Sequence, residues 1–455
     1  MQKHCTRRDA IRTLGLSLGA LLSLPEWQDE ESMREILLPE KMEKLDKPVT
    51  AITIGAGNRG NVYGNYALKF PDQFDIVGVA EPVALRNERY AKKHDIADNN
   101  RFRTWEDVFE RPKFADAVII STPDNLHFGP CMAALKLGYH VLLEKPISPS
   151  EKECRDILEA TKKSGKVVAV CHVLRYAPYF VRLRELIQGG TIGELVSIQH
   201  LEPIERIHMS HSYVRGNWHN SKATTPIILA KSSHDLDILR WMIGKPCESV
   251  QAFGDLKWFR KENAPEGSTE RCTGGCKVEP VCPYSALMIY YRNRLRNYVF
   301  DLPEDKDKQA AFVLEQLKTT DYGRCVYRMD NDQPDNYIVN MLFKDRVTVS
   351  FSMEAFTSYE GRRTRVMGSH GDITGDMTEF TITRFLDGKQ EHWKETTDAH
   401  GGGDWRLAAN FIEAVAKNDP SLLTSTIDAS IESHLIGFAA EKSRQQGKVM
   451  QVDCC

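Results

Sequence analysis

A glycine-rich run follows the first apolar, β-branched segment of the chain. Gly55, Gly57 and Gly60 form the pattern G-x-G-x-x-G between the predicted strand Val49–Ile54 and a predicted helix. Glycines permit a tight turn and close approach of the backbone to a pyrophosphate, while a helix N-terminus offers unpaired N–H groups. In this setting the pattern predicts a dinucleotide-binding turn. The predicted cofactor contacts of the turn are Gly55, Gly57, Asn58, Arg59 and Gly60.

Glu81 follows the second predicted strand, Asp75–Ala80. A carboxylate at this position can accept hydrogen bonds from the ribose hydroxyls of adenosine, and it repels a 2′-phosphate. The sequence therefore favours NAD over NADP as the cofactor. Arg86 and Arg89 lie nearby in the sequence and keep NADP as the less favoured alternative.

Two polar clusters follow the predicted strands Ala117–Ser121 and His140–Leu143. Ligands of open α/β sheets bind at the carboxyl ends of strands, so both clusters should lie beside the glycine-rich turn. Lys145, held between Glu144 and Pro146, could hydrogen-bond a substrate hydroxyl and manage its proton during hydride transfer. The alternative for a single lysine is a solvated surface charge. The predicted cofactor contacts here are Thr122, Pro123, Asn125, His127, Glu144 and Lys145.

Strands and helices alternate through the first half of the chain. Further predicted helices are 83–94, 105–109, 130–137 and 149–164, and a further strand covers 167–170. Continuous apolar strands that alternate with helices indicate a parallel, doubly wound sheet. The second half predicts strands at 195–201, 249–253, 336–343, 347–353, 363–367 and 380–385, and closing helices at 404–417 and 428–446.

Together these motifs resemble the Gfo/Idh/MocA oxidoreductase family over about residues 50–451. The motifs that carry the resemblance are Gly55–Gly60, Glu81-Pro82, Ser121-Thr122-Pro123 with His127, Glu144-Lys145-Pro146, His172–Tyr176 and Ile192-Gly193-Glu194. The resemblance implies an α/β fold: an N-terminal Rossmann domain, placed at 48–170, and a C-terminal α/β domain with a large, mainly antiparallel sheet, placed at 171–455. It also implies an NAD(P)-dependent oxidoreductase with a cis Lys145–Pro146 peptide.

Members of this family carry an H-x-x-D pair on a helix, which His234 and Asp237 match. Residues i and i+3 share a helix face, so Asp237 could orient the imidazole while His234 exchanges the alcohol proton. The alternative is a core histidine whose partner is Asp237.

Many family members have an aspartate where this chain has Ala230, and Lys231 comes next. We therefore expect Lys231 to join Lys145 and His234 as the catalytic groups, because two neighbouring amines depress one pKa. A salt bridge from Lys231 to Asp235 or to another carboxylate is the alternative.

Aromatic and hydrogen-bonding residues alternate in residues 212–219. Apolar sugar faces stack on rings while hydroxyls need donors and acceptors, so this segment is typical of sugar recognition. Tyr213 and Trp218 could equally be loop anchors, and the run of three glycines after His400 could be a hinge without a ligand. The predicted substrate contacts are Arg175, Tyr176, Tyr213, Trp218, Asp237 and His400.

The 455 residues include 60 Lys+Arg and 63 Asp+Glu, which gives a net charge of -3. This balance provides no general positive field for nucleic acid. No run reaches the ~18 consecutive apolar residues of a membrane span. The expected partners are a small-molecule sugar or cyclitol and, from the resemblance, further copies of the chain in a homo-oligomer.

The N-terminal segment is typical of an export signal. Arg7 and Arg8 precede a charge-free, leucine-rich run over residues 13–25. A basic start and a short apolar run form the signal-peptide pattern, and the arginine pair resembles a twin-arginine signal. Residues 1–25 are therefore predicted to direct the protein to the periplasm, with 26–47 as a solvated linker or loose helix. The alternative is an amphipathic helix on a cytoplasmic protein.

Three cysteines, Cys272, Cys276 and Cys282, form C-x3-C-x5-C in a Gly/Pro-rich insertion. They could bind zinc or an iron–sulfur centre, form a disulfide, or stay as reduced thiols. No fourth ligand is evident in the run, and the spacing differs from that of common zinc fingers. The sequence therefore predicts no metal site.

The favoured function is an NAD(P)-dependent oxidoreductase that acts on a hydroxyl of a sugar, glycoside or cyclitol. Export implies a tightly bound cofactor, because free NAD should be scarce outside the cytoplasm. The alternative is an NAD-dependent glycosidase, in which transient oxidation of a hydroxyl permits elimination of a glycosidic substituent.

Overall fold

Two sheets organise residues 38–395 and 402–453, which the structure, a computed structural model, describes. The predicted signal peptide, most of the predicted linker and His400 lie outside the described residues. Within them, no helix is both long and apolar enough to cross a lipid bilayer.

The first sheet is parallel, and its six described strands have the order β3-β2-β1-β4-β5-β6. Its strands are β1 Val49–Ile54, β2 Phe74–Ala80, β3 Arg101–Phe102, β4 Ala117–Ile120, β5 His140–Leu143 and β6 Val168–Val170. The helices of this half are α1 Asn58–Lys69, α2 Ala84–Lys93, α3 Trp105–Phe109, α4 Phe128–Lys136, α5 Glu151–Ser164 and α6 Pro178–Gln188. Strand β4 is apolar and buried at every residue, as in a sheet that helices cover on both faces.

The second sheet has nine strands in the described chain, in the order β14-β13-β12-β11-β7-β10-β9-β8-β15. Its strands are β7 Leu195–Pro203, β8 Cys247–Asp255, β9 Asn336–Phe343, β10 Thr348–Glu354, β11 Arg363–Gly368, β12 Gly371–Gly375, β13 Glu379–Arg384, β14 Gln390–Lys394 and β15 Met450–Gln451. Strands β7 and β10 pair in parallel, and the other neighbours pair antiparallel. This architecture confirms the predicted fold class.

Short and long helices accompany the second sheet. They are α7 Arg206–His208, α8 Ile227–Ala230, α9 Ser233–Ile243, α10 Lys306–Thr319, α11 Gly403–Lys417 and α12 Ile427–Gln446, with π-helical turns at Met209–Arg215 and Leu287–Arg292. The sequence predicted neither β12, which is bounded by glycines, nor the polar edge strand β14, nor α10, whose apolar positions are few.

The last part of the chain returns to the first sheet. The N–H of Val170 on β6 donates to the Ser425 carbonyl at 2.9 Å, and Ala169 forms a bridge with Thr426. Helix α11 shares an apolar core with α1, in which Leu407 and Tyr63 are fully buried. Strand β6 is therefore completed by residues that lie between β14 and β15 of the second sheet in the sequence.

The segment 256–335 between β8 and β9, called the insertion below, has its own apolar cluster. The buried Asp335 carboxylate accepts the backbone N–H groups of Lys257 at 3.1 Å and Trp258 at 2.6 Å. The Asp335 carboxylate thus joins the end of the insertion to its beginning.

The end of the predicted linker contacts the first domain. Pro39 and Met42 are buried, and the Gln73 side-chain amide donates to the Pro39 carbonyl at 2.8 Å. These described residues are packed rather than solvated, because their apolar side chains cover the first sheet's helical layer.

Candidate active site

The glycine-rich turn joins β1 to α1 with little spare space at two of its glycines. Gly55 has a φ of +94°, and a Cβ there would lie 2.7 Å from the Ser121 carbonyl oxygen. A Cβ on Gly60 would lie 2.2 Å from the Gly55 oxygen. At Gly57 a Cβ would meet nothing within 4 Å, and no side chain caps the N-terminus of α1. The open side of the turn and the uncapped N–H groups suit a pyrophosphate.

The Glu81 carboxylate is fixed beside this turn. One of its oxygens accepts the Ala56 N–H at 2.8 Å, and the other accepts the Val83 N–H at 2.9 Å. Glu81 is 5% exposed. Because the backbone orients a nearly buried carboxylate at the end of β2, its remaining lone pairs suit the hydroxyls of a ribose.

The buried His127 links the loops that follow β4 and β5. Its Nδ1 lies 2.7 Å from the Pro146 carbonyl oxygen, and its Nε2 lies 3.0 Å from that of Thr122. Both ring nitrogens thus contact main-chain oxygens. His127 therefore holds the two loops of the predicted cofactor site together, and its ring nitrogens are already engaged by the protein. Pro123 and Asn125 are exposed in the same loop. The Thr122 hydroxyl is buried without a hydrogen-bond partner in the described residues.

Arg59 joins three distant segments. Its Nε donates to Glu144 Oε1 at 2.6 Å, and its Nη2 donates to Asp404 Oδ1 at 2.6 Å, at the start of α11. The Tyr63 hydroxyl also donates to Glu144 Oε1, at 2.9 Å. Burial opposes ionisation of Glu144, but the Arg59 charge outweighs it and lowers the pKa of this carboxyl. Arg59, predicted as a cofactor contact, is therefore held in an ion-pair network.

Lys145 connects the domain of the first sheet with the domain of the second sheet. Its backbone N–H donates to Glu144 Oε2 at 3.1 Å, and its Nζ donates to the Ala230 carbonyl at 2.7 Å. The Lys145–Pro146 peptide is cis, which confirms the expectation. Burial lowers the pKa of the Lys145 amine, Lys231 lowers it further, and Asp124 opposes this shift. A lowered pKa favours the neutral amine that general-base chemistry needs.

Lys231 and His234 follow α8, close to the Lys145 amine. Lys231 Nζ lies 3.0 Å from Glu202 Oε1, so the salt bridge foreseen as an alternative is present, with a partner on β7. Arg362 binds the other oxygen of Glu202 at 3.0 Å. His234, in the first turn of α9, is 7% exposed, and its ring centroid is 6.2 Å from that of His172.

The pairing of Asp237 with the His234 imidazole stays a prediction, and the bonds that the structure gives Asp237 involve Arg175. Asp237 accepts two hydrogen bonds from Arg175, from Nε at 2.7 Å and from Nη2 at 2.6 Å. Arg175 also donates to the carbonyls of Thr424 and Ala429. Both side chains are buried, so a substrate could reach them only by displacing these partners. Their role as substrate contacts stays a prediction.

The aromatic segment lies against the loop that follows β4. Trp218 Nε1 donates to Asp124 Oδ2 at 3.0 Å, and the Tyr213 ring centroid is 6.1 Å from that of Trp218. Burial raises the pKa of the Tyr213 hydroxyl, and the charges of Asp124 and Glu202 add to the effect. Tyr213 and Trp218 therefore belong to the same neighbourhood as Lys145.

Tyr176 lies elsewhere. Its hydroxyl is 3.1 Å from the Ser425 hydroxyl and accepts the Thr424 N–H at 3.3 Å. These bonds attach Tyr176 to the segment that completes β6, which is a structural role. Its substrate contact stays a prediction.

Sequence reasoning missed a polar cluster beside Lys231. His208 Nδ1 lies 3.4 Å from Glu360 Oε1, and Arg296 of the insertion donates to the same oxygen at 2.7 Å. The hydrogen bond with His208 lowers the pKa of Glu360 to about 2, and burial lowers that of His208 to about 4. No local pattern marks this cluster, because its three residues come from segments that are far apart in the sequence.

A Rossmann fold with a dinucleotide turn, an oriented carboxylate and a strand-end lysine of lowered pKa defines a nicotinamide-dependent oxidoreductase. The chain belongs to the Gfo/Idh/MocA oxidoreductase family. The NAD-binding Rossmann-fold part of the family matches residues 49–172, and its C-terminal alpha/beta domain matches residues 184–452. The resemblance inferred from the motifs is thereby confirmed.

Relatives and solved structures agree with this assignment. The oxidoreductase YteT of Bacillus subtilis (strain 168) is 25% identical over 314 residues, which cover 67% of this chain and 71% of YteT. The inositol 2-dehydrogenase/D-chiro-inositol 3-dehydrogenase of Lactiplantibacillus plantarum is 22% identical over 212 residues, 46% of this chain and 57% of that protein. A structure of levoglucosan dehydrogenase with NADH and levoglucosan has a TM-score of 0.66 at 15% identity, covering 90% of this chain and 100% of that one. The structural likeness shows the fold.

We expect Gly57→Ala and Gly60→Ala to act differently. Gly57→Ala should leave the thermal unfolding midpoint unchanged but weaken NAD⁺ binding by roughly tenfold, since its methyl enters the open side of the turn. Gly60→Ala should lower the free energy of unfolding by about 1–3 kcal/mol, because its Cβ meets the Gly55 oxygen. Calorimetric titration with NAD⁺ and thermal melts check both. Unchanged NAD⁺ affinity of Gly57→Ala would contradict the assignment of the turn.

Proposed function

We propose that this protein is an NAD-dependent oxidoreductase that oxidises or reduces a hydroxyl of a sugar, glycoside or cyclitol. The observation that carries the proposal is the position of Lys145. Its amine stands at the carboxyl end of β5, close to the dinucleotide turn, and reaches the carbonyl of Ala230 across from it. A proton-transfer group is thus held where the nicotinamide half of a cofactor and a substrate from the second domain would meet.

The described residues fit the cofactor. The open side of Gly57 leaves room for a pyrophosphate, Glu81 is oriented for a ribose, and the buried Thr122 hydroxyl lacks a partner. When bound, NAD would accept a hydride from the carbon that carries the substrate hydroxyl, or return it. The protein's own contribution is to fix the reacting groups and to handle the proton.

Lys145 is the proposed general base. In its neutral form the amine can take the proton of a substrate hydroxyl, and the Ala230 carbonyl holds Nζ in place. Glu144 acts through the main chain, since it accepts the Lys145 N–H. His234 comes shortly after Ala230 in the sequence, and it is the proposed second proton carrier.

The wall opposite the dinucleotide turn suits a polyhydroxylated ring. Tyr213 and Trp218 offer aromatic surface, and the Lys231–Glu202 pair offers both a donor and an acceptor. His208 adds a ring nitrogen beside this pair. Such a mixture of flat apolar surface and fixed polar atoms matches the alternating faces and hydroxyls of a sugar or cyclitol.

NAD is the proposed cofactor rather than NADP. Arg86, which could hold a 2′-phosphate, binds Asp301 of the insertion at 2.8 Å, and Arg89 donates to the Leu302 carbonyl at 3.0 Å. The Asp301 hydrogen bond raises the pKa of Arg86, and the charge of Glu81 acts in the same direction. A 2′-phosphate would therefore face the negative charge of Glu81 and an arginine whose charge Asp301 neutralises.

The periplasmic location remains part of the proposal, as does a cofactor that stays bound between turnovers. The leader's arginine pair supports export. Retention follows from the proposed export, because free NAD should be scarce outside the cytoplasm.

Lys145→Met tests the proposed reaction. It keeps an apolar stem but removes the amine, so NAD⁺ binding should persist while turnover falls by about 10²–10⁴-fold. The assay incubates wild-type and variant protein with a panel of cyclitols, aldoses and glycosides, and it follows NADH absorbance and released sugars together. Net NADH would support the dehydrogenase, whereas sugar release without net NADH would support the glycosidase. Undiminished turnover by the variant would overturn the role of Lys145.

The pH dependence of oxidation should follow the charges around Lys145. The rate should rise as the amine loses its proton and level off at a lower pH than an ordinary lysine would give. Lys231→Gln removes a neighbouring positive charge, so the rising limb should move to higher pH. Asp124→Asn removes a negative charge, so the limb should move to lower pH. The measurement is kcat/KM against pH, and Lys222→Gln, at an exposed lysine, is the control. If the rising limb moves in the same direction in Lys231→Gln and Asp124→Asn, Lys145 is not the titrating base.

Asp301→Asn should relax the preference for NAD. The substitution keeps the side-chain shape but frees the Arg86 charge, so NADP⁺ should bind roughly tenfold more tightly while NAD⁺ affinity stays constant. Calorimetric titrations with both dinucleotides measure this. Asp305→Asn, at the N-cap of α10, is the matched control. If NADP⁺ affinity is the same in Asp301→Asn and the wild type, Arg86 does not face the ribose.

A further inference from the structure

Four cysteines line one small cavity in the insertion. They are Cys272, Cys276, Cys282 and Cys325. The fourth was not recognisable in the sequence run, since it arrives from the end of the insertion. An antiparallel bridge between residues 271 and 324 brings it in, with the Cys272 N–H donating to the Gly323 carbonyl at 3.0 Å.

The sulfur atoms sit among N–H donors. The Ala286 N–H lies 3.4 Å from Cys272 Sγ. The backbone groups of Tyr284 and Tyr327 lie near the thiols of Cys282 and Cys325, respectively. Such N–H···S bonds stabilise negative charge on sulfur, and they typically surround thiolates that bind a metal.

Arg215 supplies a positive charge at the same cavity. Its side chain is buried at 2% exposure and donates to the carbonyls of Arg324 and Tyr284, each at 2.8 Å, and to Cys272 Sγ at 3.9 Å. Its Nη1 is buried without a hydrogen-bond partner in the described residues. A buried cation whose hydrogen bonds go to carbonyls and sulfur calls for an anionic neighbour, and thiolates can supply that charge.

We propose that Cys272, Cys276, Cys282 and Cys325 bind one Zn²⁺ as a structural tetrathiolate site. Four thiolates are a preferred ligand set of structural zinc. The cavity has a volume of about 10 Å³, which holds about one water-sized sphere. That volume is of the size that a single ion needs. The tetrathiolate would carry a double negative charge, and Arg215 would balance part of it.

Binding must draw the sulfurs together. No group of three or more His, Cys, Asp or Glu side chains in the described residues is already arranged to hold a metal ion. Cys276 has room to approach, because it is half-buried and follows Gly274 and Gly275, the latter at a φ of +76°. Metal binding and ordering of the insertion should therefore be coupled.

The site has a consequence for the rest of the chain. Arg215 ends the π-helical turn Met209–Arg215, which also carries Tyr213. The ion would thus fasten the insertion to the segment that forms the aromatic wall. This inference does not depend on the proposed reaction, because it concerns metal content alone.

Metal analysis of the purified full-length protein tests the proposal. After gel filtration in chelator-treated buffer, mass spectrometry of the elements should find one Zn²⁺ per chain. A mercurial reagent that modifies thiols should release it, as followed with a zinc-sensitive dye. Cys276→Ser should lose most of the zinc, Cys276→His should retain it because imidazole also binds zinc, and Cys131→Ala, on α4, should match the wild type.

Three results would overturn the proposal. One is metal-free wild-type protein in which all four thiols react freely. A second is a disulfide between any two of the four cysteines in peptide mapping without reductant. The third is iron with acid-labile sulfide in place of zinc. The wild-type measurement stands even if Cys276→Ser fails to fold.

Discussion

The candidate site depends on the ion pair between Arg59 and Glu144. Arg59 belongs to the first turn of α1, Glu144 precedes the proposed base Lys145, and Asp404 opens α11 on the far side of the same guanidinium. Each carboxylate is largely removed from water, so each needs the arginine to remain charged. Loss of this one cation would leave two poorly solvated anions and release three segments that are far apart in sequence.

Side-chain hydrogen bonds also join the domain of the first sheet to the second sheet and its insertion. Polar contacts between the two parts of the chain include Lys145 to Ala230, Trp218 to Asp124 and Arg86 to Asp301. Asp124 and Lys145 lie directly after strands of the first sheet, where the ends of parallel strands expose polar groups, and Arg86 lies in α2. The first sheet therefore supplies fixed geometry, and the second sheet with its insertion supplies the partners that distinguish this chain from a generic dinucleotide-binding protein.

Local pattern predicted most of the Rossmann half, although it missed the two-residue strand β3. It predicted Val49–Ile54 correctly, because this short apolar run is rich in β-branched residues and ends at Gly55. It was insufficient where partners lie far apart in sequence. The bond between Arg175 and Asp237, the salt bridge of Lys231 with Glu202, and the arrival of Cys325 at the other cysteines are tertiary events that leave no periodic signal. The edge strand Gln390–Lys394 was missed for another reason: its residues are polar, and pairing alone makes it a strand.

The return of the chain to β6 bears on how such proteins can be rearranged in evolution. Without Ser425 and Thr426, the outer side of Val168–Val170 would present unpaired backbone groups, which invite association with other strands. A gene fragment that ends after β6 would therefore encode an incomplete nucleotide-binding module. Recombination that exchanges the second sheet must leave α11, Ser425 and Thr426 with the first sheet, so the segments that form the nucleotide-binding part are not contiguous in the sequence.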